Sequence, residues 1–234
     1  MKILAVDTSA KVLSVALCDD EKLIAQTTLN TGNTHSETIL AVTDELLKKA
    51  GMEVSDIDLF SCSNGPGSFT GVRIGASFIK GIAFGTDKPC IGVSTLEALA
   101  YNLKDHRGII CPVMDARRSQ LYNALFRADG NGLERLTPDR LISASELEKE
   151  LESYDEPIYF CGDGYNIASS EIKNKNIRST NIFNTYQSAY SVAQTALDKY
   201  KKSDKTTDRE LLPVYLRASQ AERELAEKKN EVIK

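Results

Sequence analysis

The sequence predicts an α/β fold of two similar lobes, each built on a βββαβα unit. Apolar runs of strand length alternate with amphipathic stretches of helical spacing over residues 1–103. A shorter stretch beyond residue 106 repeats part of this order. In each unit an aspartate ends the first strand, Asp7 in the first and Asp115 in the second, 108 residues on. We therefore expect a duplicated fold.

The first unit contains five predicted strands and three predicted helices. The strands are 3–6, 12–18, 23–29, 57–63 and 90–93, and the helices are 34–50, 68–84 and 94–103. Thr34 and Glu37 have the spacing of a capping box at the start of the first helix, and Gly51 suits its end.

The second unit is recognised by its offset from the first. Val6–Ser9 matches Met114–Arg117, and Ala16-Leu17 falls on Ala124-Leu125 at the same offset of 108. A helix at 145–151, a strand at 158–161 and a helix at 188–201 follow. Duplication of this kind is typical of the two-lobed actin, Hsp70 and sugar-kinase superfamily (ASKHA), whose lobes are ribonuclease H-like. Chance similarity between two amphipathic α/β stretches is the alternative.

The boundary between the lobes is predicted in the short polar link at 104–108. This gives an N-terminal lobe of residues 1–105 and a smaller C-terminal lobe of residues 106–234. The charged stretch 218–229 favours a last helix, which we expect either to fray or to pack back on the first lobe.

Composition excludes several functional classes. The 234 residues are 41% hydrophobic and 26% charged, and no apolar run is long enough to span a membrane. A net charge of −4 argues against an independent nucleic-acid binder. The acidic residue at position 7 excludes a signal peptide at the N-terminus, and five cysteines without a C-x-x-C spacing predict reduced, buried thiols. Together these features predict a cytoplasmic protein.

The segment 64–75 is the most informative part of the chain. Gly65-Pro66-Gly67 predicts a tight turn before the second helix, which then carries Gly71, Gly75 and Gly81. Each interior glycine costs about 1 kcal/mol relative to alanine, so we expect close approach of another helix or of a partner's backbone. A phosphate loop is the alternative, but the Lys-Ser/Thr of a Walker motif is absent.

This segment closely resembles the hallmark G-P-G-S-F-T-G-x-R-I-G of the TsaB (YeaZ) family. Further matching stretches are Ile3–Ser9, His35–Glu37, Ser94–Ala100, Met114–Arg118 and Pro213–Arg217. The resemblance is strong over residues 1–127 and looser beyond, and as a pattern it is highly specific.

The resemblance implies a role in transfer RNA modification. Family members pair with the catalytic paralogue TsaD, and the ATPase TsaE joins them in transferring a threonylcarbamoyl group to N6 of adenosine 37. The chain would be the non-catalytic partner that stabilises TsaD, forms a homodimer when alone, and meets tRNA only within the complex. ATP or ADP and the metal would belong to the partner subunits, and no membrane is involved. The alternative is an ATP-dependent, kinase-like enzyme of the same fold.

Catalytic and metal-binding residues are not predicted. Where TsaD carries two metal-binding histidines, this sequence has Ser94 and Ala98, and its two histidines, His35 and His106, lie in different elements. The absence of H-E-x-x-H and of a usable histidine pair also argues against a metallopeptidase. We expect the chain alone neither to hydrolyse ATP nor to hold zinc or iron.

The hairpin residues Asp7, Thr8 and Ser9 are interpreted as a degenerate phosphate hairpin, since no second glycine follows before Lys11. Gly162-Asp163-Gly164 is a faint echo of an adenosine loop. A cleft kept for folding is the preferred interpretation. A working site with Asp7 and Asp115 facing each other around Mg²⁺ is the alternative.

The partner surface is predicted on the helices 34–50 and 68–84, which carry apolar residues on more than one stripe. Arg73 and Arg117-Arg118 are expected to serve structure or assembly. The predicted interface residues are Leu40, Leu47, Phe69, Val72, Arg73, Gly75, Phe78, Ile79 and Ile82.

Overall fold

Two mixed β-sheets form the framework of the protein, which we describe from a computed structural model covering residues 1–202 and 207–217. The first sheet has the order β3-β2-β1-β4-β5. Its strands are β1 (Lys2–Asp7), β2 (Leu13–Asp19), β3 (Lys22–Leu29), β4 (Leu59–Gly65) and β5 (Cys90–Ser94). β1 and β4 are parallel and buried on both faces, which explains why their sequences are continuous apolar or small-residue runs.

The second sheet repeats this order as β10-β7-β6-β11-β12. Its strands are β6 (Arg107–Asp115), β7 (Gln120–Asn123), β8 (Phe126–Asp129), β9 (Leu133–Arg135), β10 (Arg140–Ser143), β11 (Ile158–Cys161) and β12 (Ile177–Arg178). Strand directions also match, with β6 antiparallel to β7 and parallel to β11, as β1 is to β2 and β4. The predicted duplicated, two-lobed actin-like fold is confirmed.

The two units differ in their first hairpins. Asp7 pairs with Ser14, whereas Asp115 pairs with Leu121, so the second hairpin is one residue shorter. The predicted match of Ala16-Leu17 with Ala124-Leu125 is therefore wrong by one position. Strands β7 and β8 pair with β6 in one continuous register and are a single strand interrupted at residues 124–125.

Six α-helices of the described residues cover these sheets. They are α1 (His35–Ala50), α2 (Phe69–Thr86), α3 (Thr95–Tyr101), α4 (Ala144–Leu151), α5 (Tyr165–Glu171) and α6 (Ala189–Lys201). α1 ends at Gly51 with a φ of 65°, as predicted, but the predicted capping box at its start is wrong. The Thr34 side chain makes no capping hydrogen bond, and the Glu37 amide donates instead to the Thr34 carbonyl oxygen at 3.2 Å.

Successive residues of β1 point to opposite faces of the first sheet. Leu4 and Val6 pack under α1 and α2, whereas Ile3 and Ala5 pack under α6, a helix that follows the whole second sheet in sequence. The small residues of α6 bring it close to the strands. Its buried side chains in this layer are Ala189, Val192, Ala193, Ala196 and Leu197.

On the second sheet, α4 and α5 pack over one face, and α3 supplies Leu96, Leu99 and Ala100 to the other.

Because α6 returns to the first sheet, the two lobes are not contiguous blocks of sequence. The predicted boundary at 105/106 precedes β6 and stays a prediction, and the predicted last helix at 218–229 lies outside the described residues. No helix of the described residues is long and apolar enough to cross a bilayer.

Candidate functional site

Internal hydrogen bonds hold the first hairpin, which joins β1 to β2. Asp7 is buried, and its Oδ1 accepts from the Ser9 amide at 2.9 Å and from Ser9 Oγ at 2.6 Å. Its Oδ2 accepts from Ser63 Oγ on β4. Burial raises the pKa of Asp7, and the hydrogen bonds from Ser63 and Ser9 oppose that rise. Both carboxylate oxygens are thus occupied within the lobe.

The glycines of α2 pack on this hairpin. Thr8 Oγ1 donates to the Gly71 carbonyl oxygen at 2.7 Å, and the Ser68 amide donates to the Ser9 carbonyl oxygen at 2.7 Å. A Cβ on Gly71 would overlap the Thr8 carbonyl oxygen, and one on Gly75 would lie 2.5 Å from Thr8 Oγ1. The close approach inferred from the sequence is present at Gly71 and Gly75, where it involves the chain's own hairpin, whereas nothing described lies close to Gly81.

This packing tests the nucleotide interpretation of the cleft. The turn at Gly67 is closed by the Ser9 carbonyl oxygen, and both oxygens of Asp7 already accept hydrogen bonds within the lobe. The residues of the first hairpin therefore do not fit a magnesium–phosphate group.

The second hairpin has an unusual backbone. Arg117, Arg118 and Ser119 have φ values of 62°, 55° and 56°, a left-handed run that ordinary residues adopt at a cost of about 1–2 kcal/mol each. Asp115 Oδ1 accepts from the Arg117 amide at 2.7 Å, the counterpart of the Asp7–Ser9 bond. Arg217 Nη1 donates to the Ala116 carbonyl oxygen at 2.6 Å. The arginines of this hairpin are exposed at its tip.

The loop at Gly162-Asp163-Gly164 lies against β6. A Cβ on Gly162 would overlap the Val113 carbonyl oxygen, and the Gly164 amide donates to that oxygen at 3.0 Å. These glycines serve close packing of the loop on the strand.

The two histidines, His35 and His106, have separate local contacts. His35 Nε2 is 2.7 Å from the Ala10 carbonyl oxygen, and His106 packs edge-on against Tyr159 at 4.8 Å between ring centroids. Ser94 Oγ accepts from the Glu97 amide and caps α3. Within residues 1–202 and 207–217, no three His, Cys, Asp or Glu side chains are grouped as metal ligands would be.

The structure divides the predicted interface residues of α1 and α2 into two groups. Leu47, Val72, Gly75 and Ile79 are buried inside the first lobe, so their assignment to an exposed partner surface is corrected. They face the sheet or the first hairpin because each helix turns one stripe inward. The side chains with exposed or partly exposed surface are Leu40, Phe69, Arg73, Phe78 and Ile82. The interface itself stays a prediction.

Sequence reasoning missed one exposed residue beside this group. Phe84 on α2 is 76% exposed, even more than the predicted Leu40 on α1, which is 67% exposed. Phe84 follows Gly81 by three positions, which places both residues on one face of α2. This spacing could have added Phe84 to the predicted interface. Gly81 and Gly85 have nothing within 4 Å of a Cβ position, so the outer face of α2 is open around Phe84.

The second missed feature is the C-terminal strap, residues 207–217. The Val214 amide donates to the Asn64 carbonyl oxygen at 2.7 Å, and Leu211 is buried in the core beneath α1 and α2. The Tyr215 ring stacks on Phe69 at 4.6 Å between centroids. The stretch 213–217 was matched to the family pattern, but nothing in its sequence indicated this contact.

Arg73 is held between the strap and α2. Its Nε donates to Tyr215 Oη at 2.8 Å, and its guanidinium carbon lies 3.8 Å from the centre of the Phe69 ring. Arg73 and Phe69 border a groove of about 560 Å³ between α1 and α2, whose other lining residues include Ser36, Ile39 and Ile74. The outer face of the two helices thus combines exposed apolar side chains, a groove and a fixed cation.

Comparison with known proteins identifies relatives along almost the whole chain. The family model described as TsaD, tRNA N6-adenosine threonylcarbamoyltransferase, matches residues 23–232. The chain is 32% identical over 223 residues to the tRNA threonylcarbamoyladenosine biosynthesis protein TsaB of Bacillus subtilis, covering 95% of this chain and 96% of that protein. It is 30% identical over 182 residues to the tRNA N6-adenosine threonylcarbamoyltransferase of Kosmotoga olearia, covering 70% of this chain and 53% of that protein.

Among solved structures, YeaZ from Pseudomonas aeruginosa superposes with a TM-score of 0.80 at 23% sequence identity. The match covers 92% of this chain and 99% of that chain. It supports the fold described above.

Proposed function

The chain belongs to the TsaB family of tRNA threonylcarbamoyladenosine biosynthesis proteins, and from this membership we propose that it is a non-catalytic subunit that binds a TsaD-type transferase. The contact surface is the outer face of α1 and α2. The proposal rests chiefly on one observation, the exposure of Leu40 and Phe84 on these two neighbouring helices.

Leu40 and Phe84, together with the partly exposed Phe69, Phe78 and Ile82, give the outer side of these helices an apolar character, which suits a surface that is covered in an assembly. The groove between α1 and α2 offers a place for side chains of a partner helix. Further along α2, Gly81 and Gly85 carry no side chain and have open space around them, so a partner helix can approach closely.

Arg73 supplies the polar part of this surface. Because Tyr215 and Phe69 hold its guanidinium in place, little side-chain entropy is lost when a partner carboxylate pairs with it. Its two Nη groups make no hydrogen bond within the described part of the chain, so they are open to a bidentate ion pair.

The non-catalytic role is supported by the first hairpin. Thr8 and Ser9 pack directly against Gly67, Gly71 and Gly75, and Asp7 is hydrogen-bonded to Ser9 and Ser63. Within the assembly we assign nucleotide and metal to the partner subunits, a TsaD-type transferase and a TsaE-type ATPase. Transfer RNA is reached through the complex.

In the absence of the partner, the same surface forms a homodimer, which competes with the heterodimer because both bury the same patch. We also propose a cytosolic location, because the five buried cysteines form no disulfide and thiols stay reduced in the cytosol.

The test is the substitution Leu40→Asp. Burying a leucine is worth roughly 1.5–3 kcal/mol, so the Kd for the TsaD homologue of the same genome is expected to rise about tenfold to a hundredfold. Ile182→Asp is the matched control, because Ile182 is 62% exposed but follows the second sheet in sequence. Sedimentation of each variant with and without the homologue gives both affinities. A folded Leu40→Asp protein that forms both dimers as tightly as the control would place the interface elsewhere.

A further inference from the structure

A basic cavity lies on the second lobe, away from the helices that carry the proposed partner surface. It has a volume of about 540 Å³ and is formed where α5 ends and the edge strand β12 begins. Its lining includes Tyr165, Ser169, Lys173, Lys175 and Arg178. Over the described residues the lining thus carries three cations and no carboxylate, although Glu171 lies within the same stretch of sequence.

The cations at the rim are not neutralised by neighbours. The ammonium groups of Lys173 and Lys175 form no ion pair within residues 1–202 and 207–217. Arg178 Nη1 donates to the carbonyl oxygens of Lys175 at 2.9 Å and Ile177 at 3.0 Å, which fixes its guanidinium at the edge of the cavity. The carboxylate of Glu148 accepts from the Lys173 backbone amide at 2.6 Å and, among the described residues, forms no ion pair with either lysine.

Ser169, which lines the cavity, carries a neutral hydroxyl. Its Oγ is buried and has no hydrogen-bond partner among the described residues, although Ser170 beside it donates to the Ile167 carbonyl oxygen at 2.9 Å. An unpaired buried hydroxyl is unfavourable, and a bound acceptor removes that penalty. The lining of the cavity therefore combines an unpaired hydroxyl with three cationic side chains.

We infer that this cavity binds a phosphate group of an RNA backbone. A phosphate has several oxygens, so it can accept from Ser169 and from the cations at once. The exposed positions of Lys173, Lys175 and Arg178 leave room for the neighbouring nucleotides of a chain. The inference rests on the proposed function, because it is the RNA-modifying assembly that brings RNA to this subunit.

The experiment compares the double variant Lys173→Ala/Lys175→Ala with Lys22→Ala/Lys202→Ala. Both remove two exposed lysines, but Lys22 and Lys202 belong to the first sheet and to the end of α6. Each is assembled with the TsaD homologue, and the affinity for unmodified tRNA is measured over a series of salt concentrations. We expect the cavity variant to bind about three- to tenfold more weakly, with a salt slope smaller by about one, relative to the control.

Ser169→Ala tests the hydroxyl without changing charge, and it is expected to weaken tRNA binding about two- to threefold while the salt slope stays the same. Equal tRNA affinities for the cavity variant and its control would overturn the inference, while an intact complex with the TsaD homologue would leave the proposed function standing. Titration with inorganic phosphate, monitored through the chemical shifts of the backbone amides, distinguishes a site for free phosphate from a site for RNA. Saturable shifts at Ser169 and Lys173 with unchanged tRNA affinity in the variants would indicate a small-anion site and overturn the RNA assignment.

Discussion

Thr8 donates its hydroxyl hydrogen to the carbonyl oxygen of Gly71 at 2.7 Å, and this bond fixes the first hairpin against α2. The contact is possible because three glycines, which carry no side chain, lie just before α2 and on its inner face. Gly67 and Gly71 meet the backbone of Ser9 and Thr8, and Gly75 meets the Thr8 side chain. The glycine-rich segment is therefore a packing device within one lobe.

The first prediction is that Gly71→Ala destabilises the protein. The new Cβ would overlap the Thr8 carbonyl oxygen, so the hairpin must move, at an expected cost of about 1–3 kcal/mol in the free energy of unfolding. Gly81→Ala is the matched control, because the Cβ enters open space and alanine favours the helix by up to about 1 kcal/mol. Urea unfolding of both variants measures the difference. Equal stabilities would mean that the Thr8–Gly71 contact does not constrain the fold.

The second prediction concerns the C-terminal strap. Leu211 is 2% exposed and packs in the core beneath α1 and α2, whereas its neighbour Leu212 is 61% exposed. Leu211→Ala is expected to lower the free energy of unfolding by about 2–5 kcal/mol, and Leu212→Ala to change it by less than about 0.5 kcal/mol. Thermal and urea unfolding of the isolated chain compare the two. If both variants unfold together, the strap is not anchored by Leu211.

The third prediction is that the native thiols are unreactive. All five cysteines are buried, and burial raises the pKa of Cys18 and of Cys90 to about 11. Burial also raises the pKa values of Cys62, Cys111 and Cys161. At pH 8 a disulfide reagent should label the folded chain on the order of a hundredfold more slowly than the urea-unfolded chain, since the thiolate is the reactive form. A fast phase from one thiol in the native protein would contradict this.

Much of the fold could be predicted because hydrophobic periodicity is local. The helix at 188–201 and the strand at 158–161 were placed within one residue, and the aspartates 108 residues apart revealed the duplication. The return of α6 to the first sheet could not be predicted. Its alanine-rich face is compatible with either sheet, and only the three-dimensional arrangement decides between them.

The site was predicted less well for a related reason. Val72 and Ile79 differ from Phe78 and Phe84 only in which side of α2 they occupy, and apolar residues on several stripes do not reveal the inward one. The residues that pack against Gly71 and Gly75 were also predicted wrongly, because a glycine in a sequence does not indicate which part of the chain lies close to it. Thr34 illustrates a third limit, since the capping-box spacing is present but the backbone carbonyl makes the bond.

The last prediction uses the pH dependence of Asp7. Burial raises its pKa in the folded state, with the Ser63 and Ser9 hydrogen bonds opposing the shift, while in the unfolded chain an aspartate titrates near pH 3.9. A carboxyl whose folded pKa is raised holds its proton more tightly in the folded state. Its contribution to stability is therefore complete below about pH 4 and is lost as the pH rises through the folded-state pKa.

Asp7→Asn removes this titration and keeps a side chain of the same shape. The difference in free energy of unfolding between variant and wild type should shift in favour of asparagine as the pH rises from about 4 to 8. Asp155→Asn, which removes one exposed charge, should show no such trend. Urea unfolding at a series of pH values measures both. If asparagine instead becomes progressively less stable than wild type toward pH 8, the hydrogen bonds from Ser9 and Ser63 to the ionised carboxylate outweigh its burial, and Asp7 is a charged anchor of the hairpin.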